Sequence, residues 1–438
     1  MESMKIKNRL SFILTISIFF IFLLLPGHSS AAFLSDMTLG DSVSINNRLA
    51  LVEGVALGDG FSLVDLGEGF KIWDLVTLHP MFRIQGQYDS NIYLEPRDEK
   101  DDWLTSLDLG AEAEMKTGDV LFKGGYVFNM NLFADHDEEN NFNHTAIGKV
   151  DWKLNDYEVI VQDMYKRFSN RAGTEDTTRV SRQKNILSAD LLYEFNRLSF
   201  DSGYDFIIED YLSDEFISGA TSYSDAEDRM EHVFREEMSY KILPKTSVLG
   251  EADFGIIDYD GSLNSDSYFI QALGGLKGEV LKETVASIKA GFRFQDYDRS
   301  GDEDYASFVS RSNVTKKFGV KNTVTLTTER SVNESTYSDV NYYILHHVGL
   351  GYIHQFNDKI SSHWALAYQH NRYPKQTTEE GYTAHRYDNI YRGAVGLRYD
   401  LRDWLSAATA YQYTERESRF GEFDYQDHLL SWSLTGQF

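Results

Sequence analysis

The residues best placed for metal chemistry lie in one acidic segment. Oxygen-bearing side chains occupy alternate positions there, at Asp296, Asp298, Ser300, Asp302 and Asp304. Calcium ions bind six to eight oxygen ligands, and this spacing supplies several of them. The twelfth position, Ser307, lacks the bidentate Glu of a calcium loop, and a solvated acidic loop explains the same pattern. We therefore expect no cofactor, with calcium in this loop as the single candidate.

Composition excludes other kinds of site. The chain has no cysteine, so a thiolate metal site and a disulfide framework are both excluded. Its 12 histidines are scattered, and no nucleophile motif of the G-x-S-x-G kind is present. Lys and Arg number 42 against 68 Asp and Glu, a net charge of −26 that repels polyanions. We predict that the protein is not an enzyme and binds no nucleic acid.

The first residues form a secretion signal. Basic residues precede an apolar run of about 16 residues, shorter than the roughly 20 that a membrane-spanning helix needs. Small residues then lead to Ala31 and Ala32, where we expect cleavage. An uncleaved anchor is the alternative. We predict a signal peptide over 1–31 and a mature chain that acts outside the cytoplasm.

The mature chain alternates with a period of two, which is typical of strands with one apolar and one wet face. In 286–294, for example, Ile288, Phe292 and Phe294 alternate with polar residues. Short connectors alternate strictly with long polar ones, as in outer-membrane barrels, and a soluble sandwich or propeller does not explain this. We predict an all-β, antiparallel transmembrane barrel of about 18 strands (16 remains open) over 79–438. The long connectors are predicted at 94–102, 135–142, 169–181, 210–229, 258–266, 296–304, 330–339, 371–385 and 415–425.

The two ends of the mature chain carry separate signals. Segment 32–78 is rich in glycine and acids, and we expect a periplasmic lead-in or a plug that enters the barrel. The last strand alternates through Leu434 to a terminal Phe438, like the signal by which barrels are passed to their assembly machinery.

Strand parity separates residues of the lumen from residues of the lipid face. Most aromatic residues fall on the lipid face, where Tyr, Trp and Phe form interfacial girdles. Lys289, Arg293 and His363 fall on the lumen face. They are candidates for holding a solute, and pairing with lumen acids is the alternative.

Two segments carry a family resemblance. Residues 88–93 (YDSNIY) close the first strand, and the last hairpin includes 396–401 (GLRYDL) and 424–428 (DYQDH). The sequence resembles the putative β-barrel porin-2 family of Gram-negative outer membranes. Asp427 and His428 replace the family's usual Asn in the last hairpin, which leaves the expected fold unchanged. The resemblance implies an eighteen-strand barrel of a kind thought to pass polysaccharide, and it supplies no catalytic residues.

These observations lead to one leading hypothesis, an outer-membrane channel that exports a surface or extracellular polysaccharide through a polar lumen. The expected partners are outer-membrane lipid and lipopolysaccharide, the barrel assembly machinery, periplasmic export components and the glycan itself. A general or nutrient-uptake porin is the alternative within transport. A structural or surface-binding barrel whose acidic loops are the working part is the alternative outside it.

Overall fold

Eighteen long antiparallel strands form one closed barrel, as the alternation predicted. The structure is a computed structural model that describes residues 69–72, 75–171, 179–212, 216–218, 221–222, 227–261, 264–299, 304–337, 340–379 and 381–438. The predicted signal peptide lies outside these residues, as does most of the lead-in.

The strands are numbered in chain order, and three short ones (β1, β9 and β10) lie outside the barrel wall. The short strands are β1 (Phe70–Ile72), β9 (Phe216–Ser218) and β10 (Thr221–Ser222). The first seven barrel strands are β2 (Val76–Asp89), β3 (Asp102–Thr117), β4 (Val120–Phe133), β5 (Asn141–Leu154), β6 (Tyr157–Arg171), β7 (Arg179–Phe195) and β8 (Leu198–Tyr211). The remaining eleven are β11 (Arg229–Leu243), β12 (Thr246–Tyr259), β13 (Ser267–Leu281), β14 (Thr284–Tyr297), β15 (Tyr305–Phe318), β16 (Asn322–Glu334), β17 (Tyr342–Asn357), β18 (Ile360–Glu379), β19 (Tyr382–Arg402), β20 (Leu405–Ser418) and β21 (Tyr425–Gln437).

The first and last barrel strands close the sheet. β2 pairs with β3 on one side and with β21 on the other, where the register runs from Met81 opposite Gln437 to Asp89 opposite Leu429. Closure gives every strand two hydrogen-bonded neighbours. Among the described barrel strands, no open sheet edge therefore faces lipid, where unpaired backbone groups would cost several kcal/mol each.

One end of the barrel carries short turns. Turns of two or three residues join β3 to β4, β5 to β6 and the six later pairs at this end. Several contain a residue with positive φ, such as Gly118 (55°), Asn155 (43°) and Asn196 (56°). Glycine and asparagine tolerate this left-handed conformation, which tight hairpins need. The alternation of short and long connectors, which the sequence indicated, is therefore confirmed for this end.

Most of the long connectors are shorter than predicted because the strands run further out, whereas the first one, 90–101, is longer. The clearest correction concerns 371–385, which forms the paired ends of β18 and β19 instead of a loop. Pro374, predicted in a connector, lies within β18, between Arg372 and Gln376, where the register shifts. A bulge accommodates a residue that cannot donate to the ladder.

The N-terminal approach to the barrel is described only in part. β1 pairs antiparallel with the start of β2, with Phe70 opposite Leu78. β2 begins at Val76, so the predicted boundary at 79 falls inside this strand. Plug or lead-in stays a prediction for the rest of 32–78. Within the described residues, no helix is long and apolar enough to cross a membrane.

Candidate functional site

The barrel lumen is the candidate site, and eleven of its eighteen strands form a continuous sector with ionisable side chains. The lumen faces of β3 to β15, called here the charged wall, carry acids and bases in cross-strand contact. On β4, the ammonium of Lys123 lies 3.1 Å from the carboxylate of Glu114 and 3.4 Å from that of Glu112. Both acids are buried. Because an unpaired buried charge is costly, each of these groups holds the others in place.

A second group surrounds Glu209 near the outer end of β8. Its buried carboxylate lies 3.1 Å from Arg182, 2.8 Å from Lys184 and 2.8 Å from Arg229. The guanidinium of Arg182 also lies 4.7 Å above the ring of Phe168. One acid thus offsets part of the charge of three bases.

Arg235 on β11 has the reverse arrangement. Its guanidinium contacts the carboxylates of Asp190 and Asp205, each at 2.8 Å. The hydroxyl of Ser188 donates a 2.6 Å hydrogen bond to Asp205, which is fully buried. The planar guanidinium fork suits two carboxylates at once.

Lys289 belongs to a chain of ion pairs that crosses five strands. Its ammonium lies 2.6 Å from the carboxylate of Glu251 and also contacts Glu237. Lys277 contacts Glu237 from β13, and Arg311 contacts Glu251 from β15. Lys289 is therefore held by wall acids, the arrangement stated above as the alternative. Solute binding by Lys289 stays a prediction.

The opposite part of the wall carries no acid or base on four of its five strands. The name hydroxyl–amide wall is used for the lumen-facing residues of 343–355, 361–371, 406–414 and 429–437, on β17, β18, β20 and β21; none is Asp, Glu, Lys or Arg. Most of these residues are small or polar, and Tyr343, Leu345, Ile353 and Leu429 are the large apolar ones. Between them, β19 adds Arg392 and Arg398. The polar members are His347, Gln355, Ser361, His363, Gln369, Asn371, Ser406, Gln412, Thr414, Ser431, Ser433, Thr435 and Gln437.

The hydroxyl–amide wall keeps its hydrogen-bonding groups in local pairs. The amide of Gln369 donates to the Asn371 carbonyl oxygen at 3.0 Å, and that of Gln412 donates to the Thr414 hydroxyl at 3.3 Å. Nε2 of His363 lies 3.0 Å from the Ser361 hydroxyl. Of the three predicted lumen residues, Lys289 and Arg293 lie on β14 in the charged wall, and His363 lies on β18 in the hydroxyl–amide wall.

Rings fill the lumen face near the long-connector end of the charged wall. Tyr259, Phe269, Tyr297, Tyr305 and Tyr342, called here the aromatic tier, are each less than 9% exposed. Tyr297 and Tyr342 stack with centroids 5.5 Å apart, and Tyr305 meets Tyr342 edge-on at 5.7 Å. The tier thus places five buried rings at this end of the lumen.

Arg293 and Glu334 connect the tier to polar groups. The Arg293 guanidinium lies 3.7 Å from the centroid of the Phe269 ring and donates a 2.7 Å bond to the carbonyl oxygen of Gln295. The amide of Gln295 and the hydroxyl of Tyr259 donate to Glu334 at 2.8 and 3.3 Å. β16 pairs with β15 from Ser310 to the short-turn end, and the two strands separate towards the long-connector end. Glu334 lies in the separated part of β16, where its carboxylate reaches Gln295 on β14.

A second group of interacting side chains lies at the long-connector end of the barrel, above β18, β19 and β20. Arg386 is fully buried, forms a bidentate pair with Asp388, and lies within 5 Å of the rings of Tyr337, Tyr373 and Phe423. Tyr337 also donates a 2.6 Å bond to Glu379. Burial, together with this carboxylate, raises the pKa of the Tyr337 hydroxyl. Tyr337 and Phe423, in the connectors that precede β17 and β21, thereby pack against the β18–β19 hairpin.

The aromatic tier was missed by the sequence argument. Tyr259 and Tyr297 fell in predicted loops, although each is the last residue of a strand. Tyr297 also keeps the parity of Lys289 and Arg293, which would have placed it in the lumen had the strand been extended. The signal was therefore present, and the boundary error hid it.

The C-terminal residue closes the seam of the barrel. The backbone N–H of Phe438 donates to the Pro80 carbonyl at 3.1 Å, and its ring stacks on Trp404 at 4.9 Å. Leu434 lies opposite Ile84 on the lipid face. The role of Leu434 and Phe438 as an assembly signal stays a prediction.

The predicted calcium segment is only partly described. Ser300 and Asp302 lie outside the described residues. The carboxylate of Asp296 accepts a 2.9 Å bond from Tyr268, and that of Asp304 accepts one from the Tyr297 N–H at 3.2 Å. Among the described residues, no three His, Cys, Asp or Glu side chains are grouped to hold a metal ion.

The closed barrel, its lipid-facing apolar residues and its polar lumen define an outer-membrane β-barrel porin. Residues 76–438 match the family described as putative beta-barrel porin 2, and the chain belongs to that family. The resemblance in the sequence is thus confirmed. The protein is located in the outer membrane of a Gram-negative bacterium.

Solved structures with related shapes are distant in sequence. Pseudomonas aeruginosa OpdK with vanillate is 10% identical, with 82% of this chain and 99% of that chain covered and a TM-score of 0.46. Acinetobacter baumannii OccAB3 is 11% identical, with 83% of this chain and 99% of that chain covered and a TM-score of 0.47. Pseudomonas aeruginosa OccK2 (OpdF) in complex with glucuronate is 11% identical, with 83% of this chain and 96% of that chain covered and a TM-score of 0.46. The comparison with curated proteins gives no match.

Proposed function

We propose that the barrel is a passive channel for uncharged or weakly charged saccharides. The observation that carries this proposal is the hydroxyl–amide wall. Hydroxyl and amide groups both donate and accept hydrogen bonds, as sugar hydroxyls do. A solute that moves along this wall exchanges one hydrogen bond for another, so passage needs neither a cofactor nor chemistry.

The charged wall supports the same class of solute. Its acids and bases contact one another, as in the group of Lys289, Glu237 and Glu251. A strongly anionic polymer would gain from a basic lumen, because rings of like charge select permeating ions. Paired charges give it no such gain. We expect no catalytic activity.

The direction of transport depends on solute size. The buried aromatic tier and the side chains packed above β18–β20 lie at the long-connector end, which faces the cell exterior in barrels of this layout. We infer that these side chains narrow the outer mouth. A narrow outer mouth favours uptake of small saccharides over passage of a thick hydrated polymer. Uptake is therefore the form of the proposal that the described lumen supports best.

Export of a surface polysaccharide is the second candidate. The family resemblance implies it, and the hydroxyl–amide wall runs from the short-turn end of β18 and β20 towards the opposite mouth. This candidate requires periplasmic export components as partners and a mouth wide enough for a hydrated polymer chain.

A size series distinguishes the candidates. Purified protein in liposomes should admit neutral di- and trisaccharides, measured by swelling rate, and exclude dextran of a few kilodaltons. Dextran entry at a rate close to that of trisaccharide would contradict small-solute uptake and favour export. No swelling with any sugar would reject both and favour a structural barrel.

Gene deletion provides the matching test in cells. Uptake predicts slower growth on a limiting oligosaccharide with normal surface-glycan staining. Loss of surface glycan with normal growth would instead support export. Complementation with the wild-type gene is the control for both readings.

A further inference from the structure

One sector of the lipid face carries two carboxylates near the middle of their strands. Outward positions of β2 to β4 are apolar or small throughout mid-strand, as at Ile84, Leu109 and Phe128. The sector of β6, β7, β8 and β11 is different. The name polar facet is used for seven of its outward residues, which are Asp163, Tyr165, Arg167, Gln183, Asn185, Ser202 and Glu236. Asp210 on β8 and His232 on β11 also face outward in this sector.

Glu236 occupies the most costly position of the polar facet. It is the middle residue of β11, it is exposed, and it lies between Phe234 and Met238 on the lipid-facing side. Its carboxylate accepts a hydrogen bond from Ser202, which lies directly opposite on β8. Acids within the apolar band of a barrel are destabilising and rare, so this one needs further hydrogen-bond donors.

Asp163 repeats the feature on β6. It lies one residue from the middle of that strand, on the same outward face as Val161. The amide of Asn185 on β7 donates a 2.8 Å hydrogen bond to its carboxylate. Polar facet residues therefore satisfy one another only in part within a single barrel.

A cation and a carboxylate lie at opposite edges of the polar facet. The β6–β7 edge holds the guanidinium of Arg167. The amides of Asn185 and Gln183 at this edge donate to Asp163 and to Asp210 within the same barrel. The β11 edge holds the acceptor Glu236. A two-fold axis along the membrane normal brings unlike edges of two identical surfaces together, which is the requirement for an isologous contact.

We propose that the polar facet is the contact surface for a second copy of this chain within the membrane. In the contact, the carboxylate of Glu236 is removed from the lipid hydrocarbon and accepts hydrogen bonds from donors on the facing copy. Ala189, outward on β7 between Val161 and Tyr204, lies near the centre of the contact.

Single-cysteine crosslinking tests the contact directly. The chain has no cysteine, so Ala189→Cys introduces the only thiol. Leu366→Cys is the matched control, because Leu366 faces lipid on β18, outside the facet, at the same distance in residues from the short-turn end of its strand. In oxidised outer membranes we expect a disulfide-linked dimer for A189C and none for L366C. Leu191→Cys, on the same face of β7, is the second reporter if A189C fails to fold.

Substitution of Glu236 tests its role in the contact. In the A189C background, Glu236→Leu should weaken association about tenfold while stabilising the monomer in lipid, and Glu236→Gln should retain the dimer. A heat-dependent shift in gel mobility confirms folding. Equal crosslinking of the A189C and L366C proteins, or no crosslinking at either folded β7 site, would overturn the proposal. An unchanged dimer fraction in E236L would overturn the role of Glu236.

Discussion

The two parts of the lumen wall reach near-neutrality by different means. In the charged wall, Arg235 contacts two acids and Lys289 contacts two others, so each charge is offset by a neighbour. The hydroxyl–amide wall omits charge and presents groups such as Gln412 and Ser433. The first arrangement depends on several strands at once, whereas the second is assembled residue by residue. Single substitutions should therefore affect the two walls very differently.

Arg235→Met should have the largest effect on stability. It leaves the carboxylates of Asp190 and Asp205 without their shared cation, and Asp205 is fully buried. We expect a loss of about 3 kcal/mol in the free energy of unfolding, measured by denaturant titration in lipid vesicles. A loss below 0.5 kcal/mol, about that of a neutral surface change, would show that the pairs do not hold the charged wall.

Lys289→Met should have a smaller effect on stability. Glu237 keeps Lys277 and Glu251 keeps Arg311, so neither acid is left alone. We expect a loss of about 1 kcal/mol and a shift towards cation selectivity, measured as reversal potential in a salt gradient. Neutral disaccharide flux should stay within twofold of wild type. A large drop in that flux would instead identify Lys289 as a solute contact.

Ser431→Asp places one charge on the hydroxyl–amide wall. Its cross-strand neighbours are Gln87 and Ala410, which cannot neutralise it. We expect a stability loss under about 1 kcal/mol, because the lumen is hydrated. We also expect a shift in reversal potential at least as large as that of K289M. Unchanged selectivity would mean that ions do not pass along this wall.

His363→Ala should have the smallest effect. The imidazole contacts the hydroxyl of Ser361 on the wall, and its loss should change stability by less than about 0.5 kcal/mol. Saccharide flux should remain within twofold of wild type, measured by liposome swelling. A tenfold drop would show that His363 holds the solute, as the sequence alone allowed.

The fold was predictable because its signals are local. Strand alternation, connector length and a terminal aromatic each occupy a few neighbouring residues, and together they gave an antiparallel barrel of about 18 strands. Strand ends were less predictable. The β18–β19 hairpin was taken for a loop because 371–385 is polar, yet its backbone pairs continue outside the apolar band, where polar side chains are compatible with strands.

The pairing of lumen charges was beyond the sequence. Arg235 and Asp190 are 45 residues apart, and Lys289 and Glu237 are 52 apart. Parity places each on the lumen face, but only the register between strands brings them into contact. The candidate residues could therefore be assigned to the lumen, while their partners required the closed structure.

The most direct test of the near-neutral lumen is the swelling rate of wild-type proteoliposomes in two saccharides of equal size. One should be a neutral disaccharide, and the other the singly anionic disaccharide made by oxidising its terminal sugar. The account predicts faster entry of the neutral sugar, because the paired charges of Arg235 and Lys289 offer no attraction to an anion. Equal or faster entry of the anionic sugar would contradict it.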